Sequence, residues 1–158
     1  MKGTIILAIV IAIAYFGFTN STNKTILFNG TEYKLAKKEG GNGFYKFHYT
    51  ESGKDTGRNN YVEILKFDKN EITNEGLSGT REILKKTYNT KYISGSSGQF
   101  GIFGTNNQNY AYLISSETSN TYWFVNFVIQ SGQSTPSEAK LNANNILTEL
   151  NELLNSMI

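Results

Sequence analysis

Residues 121–130, TYWFVNFVIQ, decide the fold that this 158-residue chain can adopt. From Tyr122 to Ile129 the side chains are apolar at nearly every position. A strand of this composition is typical of the centre of a sheet, where both faces are covered. We therefore predict a central strand here.

The preceding segment predicts the neighbour of this strand. Residues 110–117, YAYLISSE, form a second apolar run, and the polar residues 118–120 separate the two runs. Two apolar runs joined by a short polar turn favour a β-hairpin. The central strand and its neighbour are thus expected to pair in antiparallel fashion.

The last part of the chain carries the clearest helix signal. Thr135 and Glu138 have the spacing of a capping box, with Pro136 at the first helical position. From Ala139 to Met157, apolar residues recur on one stripe, while Asn, Lys and Glu occupy the other side. Such a stripe must lie on an apolar surface, which the central strand offers.

Further strands are predicted in the first half of the chain. Asn29 and Gly30 lie between two apolar runs and are a strong hairpin signal. Residues 44–51, FYKFHYTE, show the period of two that is typical of a half-buried strand. Residues 61–67, YVEILKF, form another strand, and the polar loop 52–60, SGKDTGRNN, connects these two.

A second helix is predicted after these strands. Leu77, Leu84 and Tyr88 fall at helical spacing, and the Thr-Asn pair at 73–74 can cap the start. Because two glycines weaken the first turn, the firm part is expected over residues 80–88.

The element order predicts the fold class α+β. We expect a mainly antiparallel β-sheet with two helices packed on one face, preceded by an N-terminal hydrophobic helix. The α+β domain is expected to span residues 26–158.

The N-terminal segment predicts export. Lys2 is the only charged residue before Lys24, and residues 5–18 form an apolar run. Residues 1–18 fit either a cleaved signal peptide or a retained single-pass membrane anchor, and residues 19–25 form a polar linker. In both cases Lys2 stays cytoplasmic. The domain is thus expected to be periplasmic, either anchored to the inner membrane or soluble there if the leader is cleaved.

Composition excludes several functions. The chain has no cysteine, which excludes disulfides, thiolate catalysis and Cys-ligated zinc. Its net charge is +2 without a basic stripe, so we expect no nucleic-acid partner. A single histidine and two aspartates make a His-rich metal site impossible, and we predict neither a metal nor a cofactor.

Two loops supply the candidate partner-binding residues. The glycine-rich residues 95–104, GSSGQFGIFG, lead into a strand rather than a helix, which disfavours a phosphate-binding loop. We expect a flexible hairpin, a kinked strand, or a mobile loop that presents Phe100 and Phe103 to a partner. In the loop 52–60, Asp55 and Arg58 are the corresponding candidates.

His48 is the one residue that favours an enzyme. It could act as a general base together with Glu51 or Asp55. The competing interpretation is an ordinary histidine on the polar side of a strand, and we therefore predict no catalytic residue.

The order of elements resembles that of the Mog1/PsbP/DcrB-like α+β domains. The segments FYKFHYTESGKDTGRNNYVEILKF (44–67) and YWFVNFVIQSGQSTPSEAKLNANNILTEL (122–150) carry the resemblance, which extends over about residues 44–154. It implies a non-enzymatic accessory or binding protein, several such proteins being exported. No functional residue follows from it.

These features together predict a non-enzymatic, exported accessory or scaffold domain that binds a protein partner in a cell-envelope complex. Where the leader is retained, the domain is also tethered to the membrane. Two alternatives stay open: a periplasmic immunity protein that neutralises a toxin, and an envelope hydrolase.

Overall fold

A computed structural model describes residues 24–88, 91–92, 98–103, 108–130 and 132–158. The predicted leader (1–18), its hydrophobic helix and the linker up to residue 23 lie outside the described residues. Residues 93–97 and 104–107, which include part of the glycine-rich stretch, also lie outside them. Within the described ranges, no helix is long and apolar enough to cross a membrane.

The described residues form an antiparallel sheet and three helices, which confirms the α+β class. The strands are β1 (Thr25–Phe28), β2 (Thr31–Gly41), β3 (Phe44–Thr50), β4 (Tyr61–Asp68), β5 (Lys91–Tyr92), β6 (Gln99–Phe103), β7 (Asn109–Glu117) and β8 (Thr121–Ile129). Their order in the sheet is β1-β2-β3-β4-β8-β7-β6-β5. The helices are α1 (Asn74–Tyr88), α2 (Pro136–Leu141) and α3 (Ala143–Asn155).

Two Asn-Gly turns build the β1–β2–β3 meander. Asn29 and Gly30 have φ angles of 49° and 71°, and Asn42 and Gly43 have φ angles of 52° and 79°. Positive φ at both central residues is the mark of the hairpin turn whose twist matches that of its strands. The hairpin predicted at Asn29 is therefore confirmed.

β8 is the central strand, as its sequence predicts. It lies between β4 and β7, and every residue from Tyr122 to Val128 is buried. Its hairpin with β7 turns at residues 118–120, where the Thr118 and Thr121 backbones are hydrogen bonded.

The helices lie on opposite faces of the sheet, so the expectation of two helices on one face is wrong. Trp123, Val125 and Phe127 belong to the apolar cluster that includes the buried side chains of α2 and α3. Phe124, between them in the strand, packs instead with Leu77 of α1. Successive strand residues point to opposite faces, so each face of β8 receives its own helix. We call these the α3 face and the α1 face.

Local signals set the helix ends. The Thr135 hydroxyl accepts a hydrogen bond from the Glu138 N–H (3.3 Å), and the Glu138 carboxylate accepts one from the Thr135 N–H (2.9 Å). This confirms the predicted capping box. The helix breaks at Asn142, so the predicted stripe is carried by two consecutive helices. α1 begins at Asn74, with the Thr73 hydroxyl accepting from the Gly76 N–H (3.2 Å).

We predict that the α3 face carries much of the stability. Leu150 is 0% exposed beneath the sheet, whereas Leu141, at the helix break, is 81% exposed. Leu150→Ala should lower the free energy of unfolding by about 2–5 kcal/mol, because a cavity remains in the core. Leu141→Ala, the matched control, should change it by less than about 0.5 kcal/mol. Urea unfolding measures both, and equal losses would contradict this packing.

Candidate functional site

A cluster of polar side chains crosses the middle of the α1 face. The strand register pairs His48 of β3 with Glu63 of β4, and Glu63 with Asn126 of β8. Directly opposite residues of antiparallel strands point to the same face. Lys46, two residues before His48, joins them on this face. We call Lys46, His48, Glu63 and Asn126 the polar cluster.

Glu63 is the centre of the polar cluster. Its side chain is buried, and Lys46 Nζ lies 2.8 Å from Oε2. Asn126 Nδ2 donates to Oε1 at 3.4 Å, and His48 Nδ1 lies 3.8 Å from Oε2. A buried carboxylate is strongly unfavourable unless charged and hydrogen-bonding groups compensate it. Lys46 and His48 of β3 supply that compensation at Oε2, and Asn126 of β8 supplies it at Oε1.

The neighbours keep Glu63 ionised. Burial by itself raises the pKa of a carboxyl group, and burial is the largest single influence on Glu63. The polar contacts with His48, Lys46 and Asn126, together with the charge of Lys46, outweigh burial and hold the pKa of Glu63 below its usual range. Glu63 is therefore a fixed negative charge inside the fold.

The end of α1 closes one side of the polar cluster. Tyr88, the last residue of α1, is buried, and its hydroxyl accepts a hydrogen bond from the hydroxyl of Tyr61. The Tyr61 ring lies 4.5 Å from the His48 ring. Burial, and then the charge of Glu63, raises the pKa of Tyr88 to about 12, so its hydroxyl stays protonated. The two tyrosines thus separate Glu63 from solvent on the helix side.

Asn126 is incompletely satisfied. It is fully buried in β8, yet within the described part of the chain its Oδ1 atom has no hydrogen-bond donor. Leaving a buried acceptor without a donor costs about 1–3 kcal/mol. The same side chain donates to the buried Glu63 carboxylate through its amide nitrogen, which offsets part of this cost.

The other side of the polar cluster faces the loop 51–60. His48 Nε2 lies 3.9 Å from Asp55 Oδ1, so the imidazole stands between two carboxylates. The Asp55 side chain is half exposed and accepts a hydrogen bond from the Gly57 N–H (3.1 Å). The Thr50 hydroxyl and the Asn59 amide both donate to the Lys54 carbonyl, which folds the loop on itself. The loop therefore presents Asp55 to the sheet.

Two of the four predicted contact residues lie on this exposed loop. Asp55 is beside His48, and Arg58 is exposed three residues further on. The structure thus brings the loop 51–60 and the strand β3 together in one surface.

The structure places Phe100 and Phe103 in a strand, one of the alternatives that the sequence left open. Both lie in β6 and are half-buried, rather than standing out from a loop. The Phe100 ring packs on Tyr112 of the α3 face at 5.2 Å between centroids, and Phe103 packs on Tyr88 at 4.9 Å. Both rings pack against the core, on the two sides of the sheet, so the structure shows half-buried strand residues, and their contact with a partner stays a prediction.

Sequence reasoning identified His48 and Asp55 but missed Glu63. The alternative partner, Glu51, lies elsewhere: burial, and then the charge of Glu51, raises the pKa of Tyr33 to about 12. A signal for Glu63 does exist. Glu63 and Asn126 each interrupt the apolar run of a central strand, and the two prove to be direct cross-strand partners.

Comparison with family models, with curated proteins and with solved structures finds no match to this chain. The resemblance to Mog1/PsbP/DcrB-like domains therefore stays a prediction. Among the described residues, no group of three or more metal-ligating side chains is close enough to hold an ion. The polar cluster therefore provides charged side chains that buried Glu63 holds in place, next to the exposed loop 51–60.

We predict that Glu63→Gln changes how stability depends on pH. The pKa of Glu63 is lower in the folded than in the unfolded protein, so its contribution is present above the unfolded value and is lost as pH falls through the folded one. The free energy of unfolding of the wild type should therefore fall more steeply than that of the variant between about pH 5 and pH 3. At pH 7 the variant should be less stable by about 1–3 kcal/mol.

Urea unfolding across this pH range measures both effects. Glu32→Gln is the control, because Glu32 forms an exposed ion pair with Lys34 at 3.8 Å. It should change stability by less than about 1 kcal/mol. Equal pH slopes for wild type and Glu63→Gln would contradict an ionised, compensated Glu63.

Proposed function

We propose that this chain is a non-enzymatic, exported accessory domain that binds a protein partner in a cell-envelope complex. The contact surface consists of the α1-face side chains of β2 and β3 together with the loop 51–60, and we call it the loop surface. The single observation that carries the proposal is that buried Glu63 contacts both Lys46 and His48, and that His48 lies beside exposed Asp55.

The loop surface is accessible. Through Leu77 and Tyr88, α1 packs in apolar clusters whose strand residues are mainly those of β4, β8, β7 and β6. On the β2 side, Lys37 and Glu39 form an ion pair at 2.6 Å with both side chains about half exposed. Lys37 stands opposite His48 in the register, so this pair continues the polar cluster to the edge of the domain.

The charges of the loop surface are already ordered before a partner binds. Immobilising a flexible side chain on binding costs about 0.5–1.5 kcal/mol. The ion pair with Glu63 restrains Lys46 although its side chain is 35% exposed, and the Gly57 N–H orients Asp55. A surface of fixed charges of both signs favours a specific partner with the complementary pattern.

The placement of His48 supports binding over hydrolysis. A general base needs a ring nitrogen that faces the proton it removes. In His48, Nδ1 faces Glu63 and Nε2 faces Asp55. Both nitrogens thus face carboxylates of the same chain, which suits a structural link better than a base.

The N-terminal sequence supports the location of this function. Delivery by the apolar residues 5–18 puts the domain in the periplasm, and a retained anchor raises its effective concentration at the membrane. An accessory subunit gains most from such tethering, because its partner complex lies in the same membrane.

We predict that the partner is recovered through the loop surface. In a pull-down from detergent-solubilised envelope, Asp55→Asn and Arg58→Ala should each reduce recovery about fivefold or more, as expected for a contact worth over 1 kcal/mol. Lys140→Ala is the control, because Lys140 is exposed on α2, on the other face.

The composition of the captured material decides between the classes. A multi-subunit envelope assembly supports an accessory domain, and a single toxin in a one-to-one complex supports an immunity protein instead. Wild-type recovery by both loop variants would contradict the loop surface. An activity that His48→Ala abolishes would favour the hydrolase.

A further inference from the structure

His48 connects the rigid sheet to the exposed loop 51–60. Nδ1 lies 3.8 Å from Glu63 Oε2 and Nε2 lies 3.9 Å from Asp55 Oδ1. Both distances are within ion-pair range but longer than a direct hydrogen bond. Neutral imidazole can donate from only one nitrogen, whereas imidazolium donates from both. Protonation therefore adds a second N–H donor and a positive charge between the two carboxylates.

The charges around His48 come from every neighbouring element. β2 contributes Lys37 and Glu39, which form an ion pair with each other, and β3 contributes Lys46. β4 contributes Glu63 and the uncharged ring of Tyr61, and the loop contributes Asp55. Lys46 and Lys37 oppose a third positive charge. Glu63 and Asp55, one on each side of the ring, favour a positive charge on His48, and the Glu39 carboxylate offsets the charge of Lys37.

We propose that His48 is a protonation-dependent clasp that fixes the loop 51–60 to the sheet. When the imidazole is charged, it bridges Glu63 and Asp55 and the loop surface is ordered. When it is neutral, the one N–H stays on Nδ1 beside buried Glu63, Nε2 becomes an acceptor that cannot bind the Asp55 carboxylate, and the loop is released. Histidine is the side chain whose charge changes between about pH 5 and pH 8, so the clasp responds to the acidity of the compartment.

This inference rests on the proposed function for its consequence, not for its mechanism. If the loop surface binds a partner, an ordered loop binds more tightly, because less freedom is lost on association. Binding is then stronger at acidic pH. The clasp itself exists in the isolated chain and can be tested without any partner.

Nuclear magnetic resonance on the full chain in detergent micelles tests the clasp. Heteronuclear NOE values of the backbone amides of residues 53–58 report loop order at pH 8 and at pH 5.5. In the wild type these values should rise towards those of β3 on acidification. The transition should follow the titration of the His48 ring protons in the same samples.

Two variants and a control identify the atoms involved. Asp55→Asn, on the exposed loop, should abolish the pH dependence of loop order, and His48→Gln should do the same. Glu51→Gln, a loop carboxylate that acts on Tyr33 instead, should keep it. A loop equally ordered at both pH values in the wild type would overturn the clasp. A pH response that persists in Asp55→Asn would overturn it as well.

A partner assay separates this inference from the proposed function. If about threefold more partner is recovered at pH 5.5 than at pH 8, and Asp55→Asn abolishes this difference, the result supports both the clasp and the proposed contact surface. If loop order responds to pH in the isolated chain while no loop variant affects recovery, the clasp stands and the proposed contact surface fails.

Discussion

The ionised carboxylate of Glu63 is the constraint on which the α1 face depends. A charge in the middle of a sheet is tolerated only when neighbouring groups compensate it. Lys46 and Asn126 contact it across two strand pairs, and His48 stands beside it. Tyr88 at the end of α1 and Tyr61 of β4, hydrogen bonded to each other, then exclude solvent. The geometry of the candidate site is therefore a consequence of burying one carboxylate.

The two faces of the sheet have different roles in the domain. The α3 face is an apolar core in which Tyr112 donates its hydroxyl hydrogen bond to the Ala139 carbonyl (2.8 Å). On the α1 face, the pair of Glu63 and Asn126 lies between two smaller apolar clusters. Stability thus comes chiefly from the first face. The second face can carry charges at its edge without exposing the core.

Local sequence signals were sufficient for the elements but not for their arrangement. The Asn29 turn, the capping box at Thr135 and the central strand each follow from a few consecutive residues. The placement of the helices does not, because an amphipathic stripe fits either apolar face of β8. The pairing of Glu63 with Asn126 joins residues far apart in the chain, so only the strand order reveals it. The position of Phe100 stays open in the sequence for a related reason: the glycines allow a hairpin, a kinked strand or a mobile loop, and only the pairing of β6 with β7 decides for a strand.

The direct test of this account is the titration of the Glu63 carboxyl group itself. Carbon-13 labelling of glutamate side chains allows its carboxyl resonance to be followed by nuclear magnetic resonance from neutral to acidic pH, with Glu63→Gln providing the assignment. The account predicts a midpoint below the value of about 4.3 found for an ordinary glutamate. A midpoint above that value would mean that burial dominates, and Glu63 could not then be the fixed charge that organises the site.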